Sequence, residues 1–200
     1  MRVIYGRIAP GWCHELHIRA DGVGDGLLGG HPPRGASPRG VTKNTRFFAT
    51  LPLNQTLDVS LFLHFDFDAM WDARGVVQTE QTLIEVVTHE RAETRNRSEW
   101  RSELPAMSLE IGPQVRDEAR DGGGPLPHHK LGGCPRLVWE REETVSELST
   151  LAAGGGKLFA QFAFPSSSDA IVDGDWPFGD GLFHAFMGPG GSKWWFLWDS

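Results

Sequence analysis

Two hundred residues, 40% of them hydrophobic and 22% charged, describe a globular chain long enough for one substantial core. A formal net charge of -7 argues against a nonspecific nucleic-acid or anionic-membrane surface and makes a basic partner the easier one to accommodate. We therefore expect a single domain over residues 1–200, with internal halves at 1–120 and 121–200.

The N-terminus, "MRVIYGRIAPGWCHEL", has no apolar stretch of signal-peptide length, and no run of about 18 apolar residues occurs anywhere, so a cytoplasmic protein without membrane partners is expected. "RVIYGRI" and "CHELHIR" read as strands, short and β-branched or aromatic. Residues 21–40, rich in Gly and Pro, read as a surface loop. "TRFFATL" is the next strand. In "LDVSLFLHFDFD" the alternation places Leu57, Val59, Leu61, Leu63, Phe65 and Phe67 on one face. The opposite, wet face carries Asp58, Ser60, His64, Asp66 and Asp68, broken by Phe62. "TLIEVVT" and "AMSLEI" continue the series. "GPQVRDEARDG" follows a Gly-Pro, ends at glycines and reads as a helix. Residues 121–135 read as a second loop. "WEREETVSELSTLAAGGG" spaces Val145, Leu148, Leu151 and Ala152 at helical intervals. "KLFAQFAF", "GLFHAFM" and "KWWFLW" are the last strands, with residues 173–191 a third Gly/Pro-rich loop segment. The expected class is α+β: mostly antiparallel sheet with one or two helices.

An internal repeat is visible. "LGGHP" at 28–32 matches "LGGCP" at 131–135, "RFFATLPL" at 46–53 matches "KLFAQFAF" at 157–164, and "LFLHF" at 61–65 matches "LFHAF" at 182–186. Three matches in one order raise the expectation of two diverged repeats sharing a core.

"HHKLGGCPRLV", "KLFAQFAF" and "WPFGDGLFHAF" together resemble the YwqG-like family of bacterial proteins, over residues 127–198. In that pattern a Gly-Gly-x-Pro turn precedes a Leu-x-x-Gln strand and a Pro-x-x-Gly-x-Leu hairpin, matched here by Leu158, Gln161, Pro177 and Leu182. The resemblance implies an α+β fold of unknown function, an association with toxin and immunity loci, and no catalytic residues to carry over.

Four constellations carry candidate chemistry. Cys13, His14, His17, His128, His129 and Cys134 are soft metal ligands, but strand geometry sends Cys13 and His17 to one face, His14 to the other, and splits His128 from His129. No metal and no cofactor is therefore expected, and the two cysteines, without CxxC spacing, are expected to be reduced. Lys130, Gly132 and Gly133 resemble an anion loop, yet the Walker spacing is missing and Pro135 removes a donor, so a structural turn is the simpler reading. Asp173, Asp175 and Asp180, like Asp66, Asp68 and Asp72, are paired carboxylates of the kind that serve acid-base or calcium chemistry, without the DxDxDG spacing. Trp194, Phe196 and Trp198 should face one way along a terminal strand and Trp195 and Leu197 the other, so both faces need cover. Trp176, in a loop beside aspartates, is expected to be exposed and used in recognition.

No GxSxG, kinase set or GxGxxG after a strand is present. The expectation is a noncatalytic protein-interaction module, in the form of an immunity protein that neutralises a basic toxin, with Asp173, Asp175, Trp176, Asp180, His128 and His129 as binding candidates. The alternatives are a hydrolase, metal-dependent or not, built on the same histidines and aspartates, and a small-ligand or glycan binder using Trp176.

Overall fold

The computed structural model describes residues 11–20, 23–40, 43–64, 83–92, 95, 100–117, 129–138, 141–163, 176–178 and 181–199. The strands are β1 (Trp12–Arg19), β2 (Gly26–Leu28), β3 (Arg46–Pro52), β4 (Leu57–Leu63), β5 (Ile84–Glu90), β6 (Met107–Arg116), β7 (Lys130–Leu131), β8 (Lys157–Phe162), β9 (Leu182–Met187) and β10 (Trp194–Asp199). The helix, α1, spans Glu142–Ala153. All ten strands form one antiparallel sheet in the order β10-β9-β8-β7-β1-β6-β2-β3-β4-β5. With one α-helix among the described residues, the protein is mostly β, and the α+β label fits only roughly.

The sheet is not flat. β3 and β8 lie five strand spacings apart, about 24 Å across a flat sheet at about 4.8 Å per strand. Yet the Phe48 and Phe162 ring centroids are 5.1 Å apart, and those of Phe48 and Phe183 on β9 are 5.9 Å apart. The sheet therefore curls toward a barrel, and its inner face wraps one core running from Leu16 to Trp198. Trp194, Phe196 and Trp198 join that core, while Leu197 and Trp195 pack outward against Leu151 and Leu148 of α1. Both faces of β10 are thus covered, as its aromatic alternation requires.

Several expectations from the sequence are corrected. "GPQVRDEARDG" does not begin a helix: Gly112–Arg116 continue β6, because Gln114 and Val115 pair with His14 and Cys13 of β1. Partnering in the sheet overrides the local Gly-Pro signal. In α1 the buried stripe is Thr144, Leu148 and Leu151, whereas Val145 and Ala152 face outward. The segments read as loops at 21–40 and 121–135 contain β2 and β7, since Leu28 and Leu131 supply core side chains, while β9 forms over the "GLFHAFM" expected as a strand. The face of β4 read as wet is sealed: Asp58, Ser60 and Phe62 are all buried. Phe62 packs with Phe47 and Ala36 beneath Trp100, so the outer surface has a second, smaller apolar cluster. The "RVIYGRI" strand and residues 65–68 lie outside the described residues.

The strand order is symmetric about the central pair. β6 joins the meander β2-β3-β4-β5, and β1 joins β7-β8-β9-β10. The β3/β4 ladder is interrupted between Phe47 and Ala49, and the β8/β9 ladder between Leu158 and Ala160. Across the outer face, Leu27 pairs with Thr50 and Thr50 with Ser60; in the other meander Lys130 pairs with Gln161 and Gln161 with His184. These two rows of side chains build two polar centres among the described residues.

Candidate functional site

The row Lys130-Gln161-His184 is closed by the chain itself. The glycine turn after β7 returns over it, with Gly132 and Gly133 at φ +75° and +84°. At Gly133 a side chain has no room: a Cβ would stand 2.0 Å from Asp117 Oδ2 and 2.9 Å from Cys13 Cβ. Lys130 Nζ donates to Asp117 Oδ2 at 2.8 Å and to the Cys134 carbonyl, and the Cys134 N–H donates to the same Asp117 oxygen at 2.6 Å. Arg136 Nη2 lies 3.5 Å from Asp117 Oδ1. Lys130 and Asp117 are each only 1% exposed, so this is a buried ion pair, to which the Cys134 backbone adds one bond on each side while Asp117 Oδ1 has only the Arg136 guanidinium near it.

The Arg136 backbone completes the closure. Its N–H donates to Gln161 Oε1 at 3.0 Å, and its carbonyl accepts from His184 Nε2 at 2.6 Å. Burial drives the His184 pKa down to about 4, so the imidazole is neutral at physiological pH. Cys13, against the same centre, has its thiol pushed up to about 11, first by burial and then by the Asp117 charge. A thiol held protonated is a poor nucleophile and a poor metal ligand. "PHHKLGGCP" thus builds a structural turn from Lys130 onward, whose lysine is neutralised from within.

The row Leu27-Thr50-Ser60 is arranged differently. Thr50 Oγ1 and Ser60 Oγ are 2.6 Å apart, Ser60 Oγ and His89 Nε2 are 2.8 Å apart, and His89 Nδ1 donates to the Glu90 carbonyl at 2.8 Å. Beside this chain of hydroxyls opens a cleft of about 230 Å³. Its lining includes Asp25, Thr50, Asp58, Arg91 and the backbone of Gly24 and Gly26. Asp58 and Thr50 are buried, Asp25 is half-buried with Oδ2 accepting the Ile111 N–H at 3.2 Å, and Arg91 is exposed.

The residues singled out from sequence fall mostly elsewhere. Asp173, Asp175, Asp180 and His128, with Asp66, Asp68 and Asp72, lie outside the described residues. Trp176 is not an exposed anchor: its ring is buried, 5.7 Å from Phe48, 6.0 Å from Phe178 and 6.2 Å from His129. An aromatic this large gains more by filling the curl of the sheet than its polar neighbours in sequence suggest. It offers no stacking face to a glycan. His129 lines the same core and accepts the Ala163 N–H through Nδ1 at 3.2 Å. His14 Nδ1 donates to the Gly112 carbonyl at 2.9 Å, and His17 Nε2 stands 3.6 Å from Glu15. Among the described residues, no group of three or more His, Cys, Asp or Glu is placed to hold a metal ion, and no helix is long and apolar enough to cross a membrane.

Thr50, His89, Asp25 and Arg91 were not singled out in sequence. Asp58 and Ser60 were, as members of a wet strand face; their position opposite Thr50 and His89 depends on a register that one strand does not reveal. No family model, no curated protein and no solved structure matches the chain.

Proposed function

We propose that the protein is a noncatalytic protein-interaction module whose partner is basic, in the form of an immunity protein that holds a toxin. The observation that carries this reading is the outer-face cleft with carboxylates at Asp25 and Asp58, in a chain of net charge -7. Complementary charge of this kind steers encounter and suppresses wrong partners. Crosslinked co-purification from the source cell, with identification of the captured protein, tests it. The expected partner is basic, and its association slows as ionic strength rises. Recovery of an acidic partner, or of none, refutes the reading.

A hydrolase is the second reading, favoured by Ser60, whose hydroxyl lies 2.8 Å from a histidine that a carbonyl orients. It ranks lower because Ser60 has no exposed surface to meet a substrate. Covalent labelling by a fluorophosphonate that vanishes in Ser60→Ala would promote it.

We also propose that the two five-strand runs are diverged copies, the second opening with β6 rather than after residue 120. Support comes from the symmetric strand order and from ladder interruptions at Phe47/Ala49 and Leu158/Ala160, matching positions of the repeat. Because β1 pairs with β7 and β6 with β2, fragments cut between β5 and β6 should fold together and not apart. Cooperative folding of either fragment alone would contradict this.

A further inference from the structure

We propose that the free edge of β5 takes an extended, basic segment of the protein partner as an added antiparallel strand. This rests on the interaction reading above and names the surface and the mode of contact. β5 is the last strand of the sheet, bonded on one side only, to β4. The ladder gives the direction of each main-chain group. The Arg91 N–H donates to the Thr56 carbonyl and the His64 N–H to the Leu83 carbonyl, so the register bonds Asp58 to His89, Ser60 to Val87 and Phe62 to Glu85 between them. Ile84, Val86, Thr88 and Glu90 therefore turn their N–H and C=O groups away from β4. The Glu90 carbonyl is taken by His89 Nδ1, and Ile84 is buried. Val86 is half-buried and Thr88 exposed, and among the described residues neither makes a hydrogen bond on that side.

The strand carries none of the usual guards. Natural sheets blunt exposed edges with proline, lysine or bulges. β5 reads "IEVVTHE", β-branched at Ile84, Val86, Val87 and Thr88 without proline, glycine or lysine, and its ladder with β4 runs from Leu57↔Glu90 to Leu63↔Ile84 without a register shift. The β3/β4 and β8/β9 ladders are each interrupted, and at the other end of the sheet β10 is buried at every position but Trp195. Alternation sets the chemistry of the added strand. Directly opposite residues of a bonded antiparallel pair share a face, so the newcomer meets the row Val86, Thr88 and Glu90. A β-branched residue suits Val86 and Thr88, and exposed Glu90 suits a cation. Net charge chooses between occupants: a second copy would bring another -7, whereas a basic segment is drawn in. Main-chain bonds hold such a segment, and its alternate side chains select it.

The test is titration of the ¹⁵N-labelled full chain with the peptide amide acetyl-Lys-Thr-Val-Lys-Val-Thr-Val. Paired antiparallel, its first lysine and its valines face Glu90, Thr88, Val86 and Ile84. Comparators are the same peptide N-methylated at its valines, which removes the donors facing the edge, and a form with glutamate for both lysines. Saturable shifts of the Val86 and Thr88 amides are expected, with binding at least tenfold weaker for either comparator. Thr88→Pro removes an N–H that points away from β4, so it should melt cooperatively and weaken peptide binding at least tenfold. Thr88→Ala keeps that N–H and should bind almost as the unsubstituted protein does. Should Thr88→Pro fail to fold, the N-methylated peptide decides the case on the unsubstituted protein. No saturable shift, full binding of the N-methylated peptide, full binding by a folded Thr88→Pro, or preference for the glutamate form overturns the proposal. Dimerisation that grows with concentration and is lost in Thr88→Pro, without peptide binding, makes a second copy the occupant and overturns it as well. If Thr88→Pro still captures the basic partner at full strength, the edge assignment fails and the interaction module stands. If the unsubstituted protein captures no basic partner yet binds the peptide, the module fails and the edge stands as a strand acceptor.

Discussion

Lys130→Met removes an ammonium and keeps most of the stem that carried it. Asp117 then loses the 2.8 Å ion pair and remains 1% exposed, held by the Cys134 N–H at 2.6 Å and by Arg136 at 3.5 Å. Deleting one member of a buried pair costs about 3–5 kcal/mol, because the surviving charge is left uncompensated. Arg136 offsets part of that loss, so we expect about 3 kcal/mol, a large share of a typical stability of about 5–15 kcal/mol. With a urea slope of about 2 kcal/mol per molar, the unfolding midpoint followed by tryptophan fluorescence falls by about 1.5 M. The double variant Lys130→Met, Asp117→Leu should be no less stable than Lys130→Met, because it removes the orphaned charge. A midpoint shift under about 0.5 M in the single variant, or a double variant clearly worse than it, would refute the charge-pair account.

Gly133→Ala should lose well over the roughly 1–2 kcal/mol of a left-handed backbone, because the new Cβ meets Asp117 and Cys13. Gly35→Ala, at φ +93° with open space around it, should lose only that backbone cost, and equal losses in thermal melts would count against the close approach. His184 has a folded pKa of about 4 against an ordinary 6.5, so as pH falls the unfolded chain takes the proton first. Stability should therefore erode between pH 6.5 and pH 4, by about 3 kcal/mol in all, and His184→Gln should lack that part of the slope. Cys134 is exposed and Cys13 is buried with its thiol raised to about 11. A disulfide reagent at pH 8 should modify one thiol quickly and the second only on unfolding; two fast equivalents would contradict the burial.

Alternation in "LDVSLFLHFDFD" and the aromatic pairing in "KWWFLW" made β4 and β10 legible, because a strand's period shows directly which residues share a face. Period alone does not say what covers a face. Asp58 and Ser60 therefore read as solvated, although the neighbouring segments of the fold bury them. β2 and β7, of three and two residues, are too short for any periodic signal and show only as the glycine turns that follow them. Trp176 was misjudged for the opposite reason: its Asp and Gly neighbours describe the local chain, whereas its burial is set by Phe48 and His129, far away in sequence. The candidate cleft draws Asp25, Thr50, Asp58 and Arg91 from separate segments, and only strand register brings them together.

The central claim, an acidic interaction module for a basic partner, is tested most directly by the salt dependence of that association. Stopped-flow mixing of the full chain with the protein captured from the source cell should show an association rate that falls several-fold between low and physiological ionic strength, because complementary charge steers the encounter. An association rate indifferent to salt, or one that rises with it, would contradict the account.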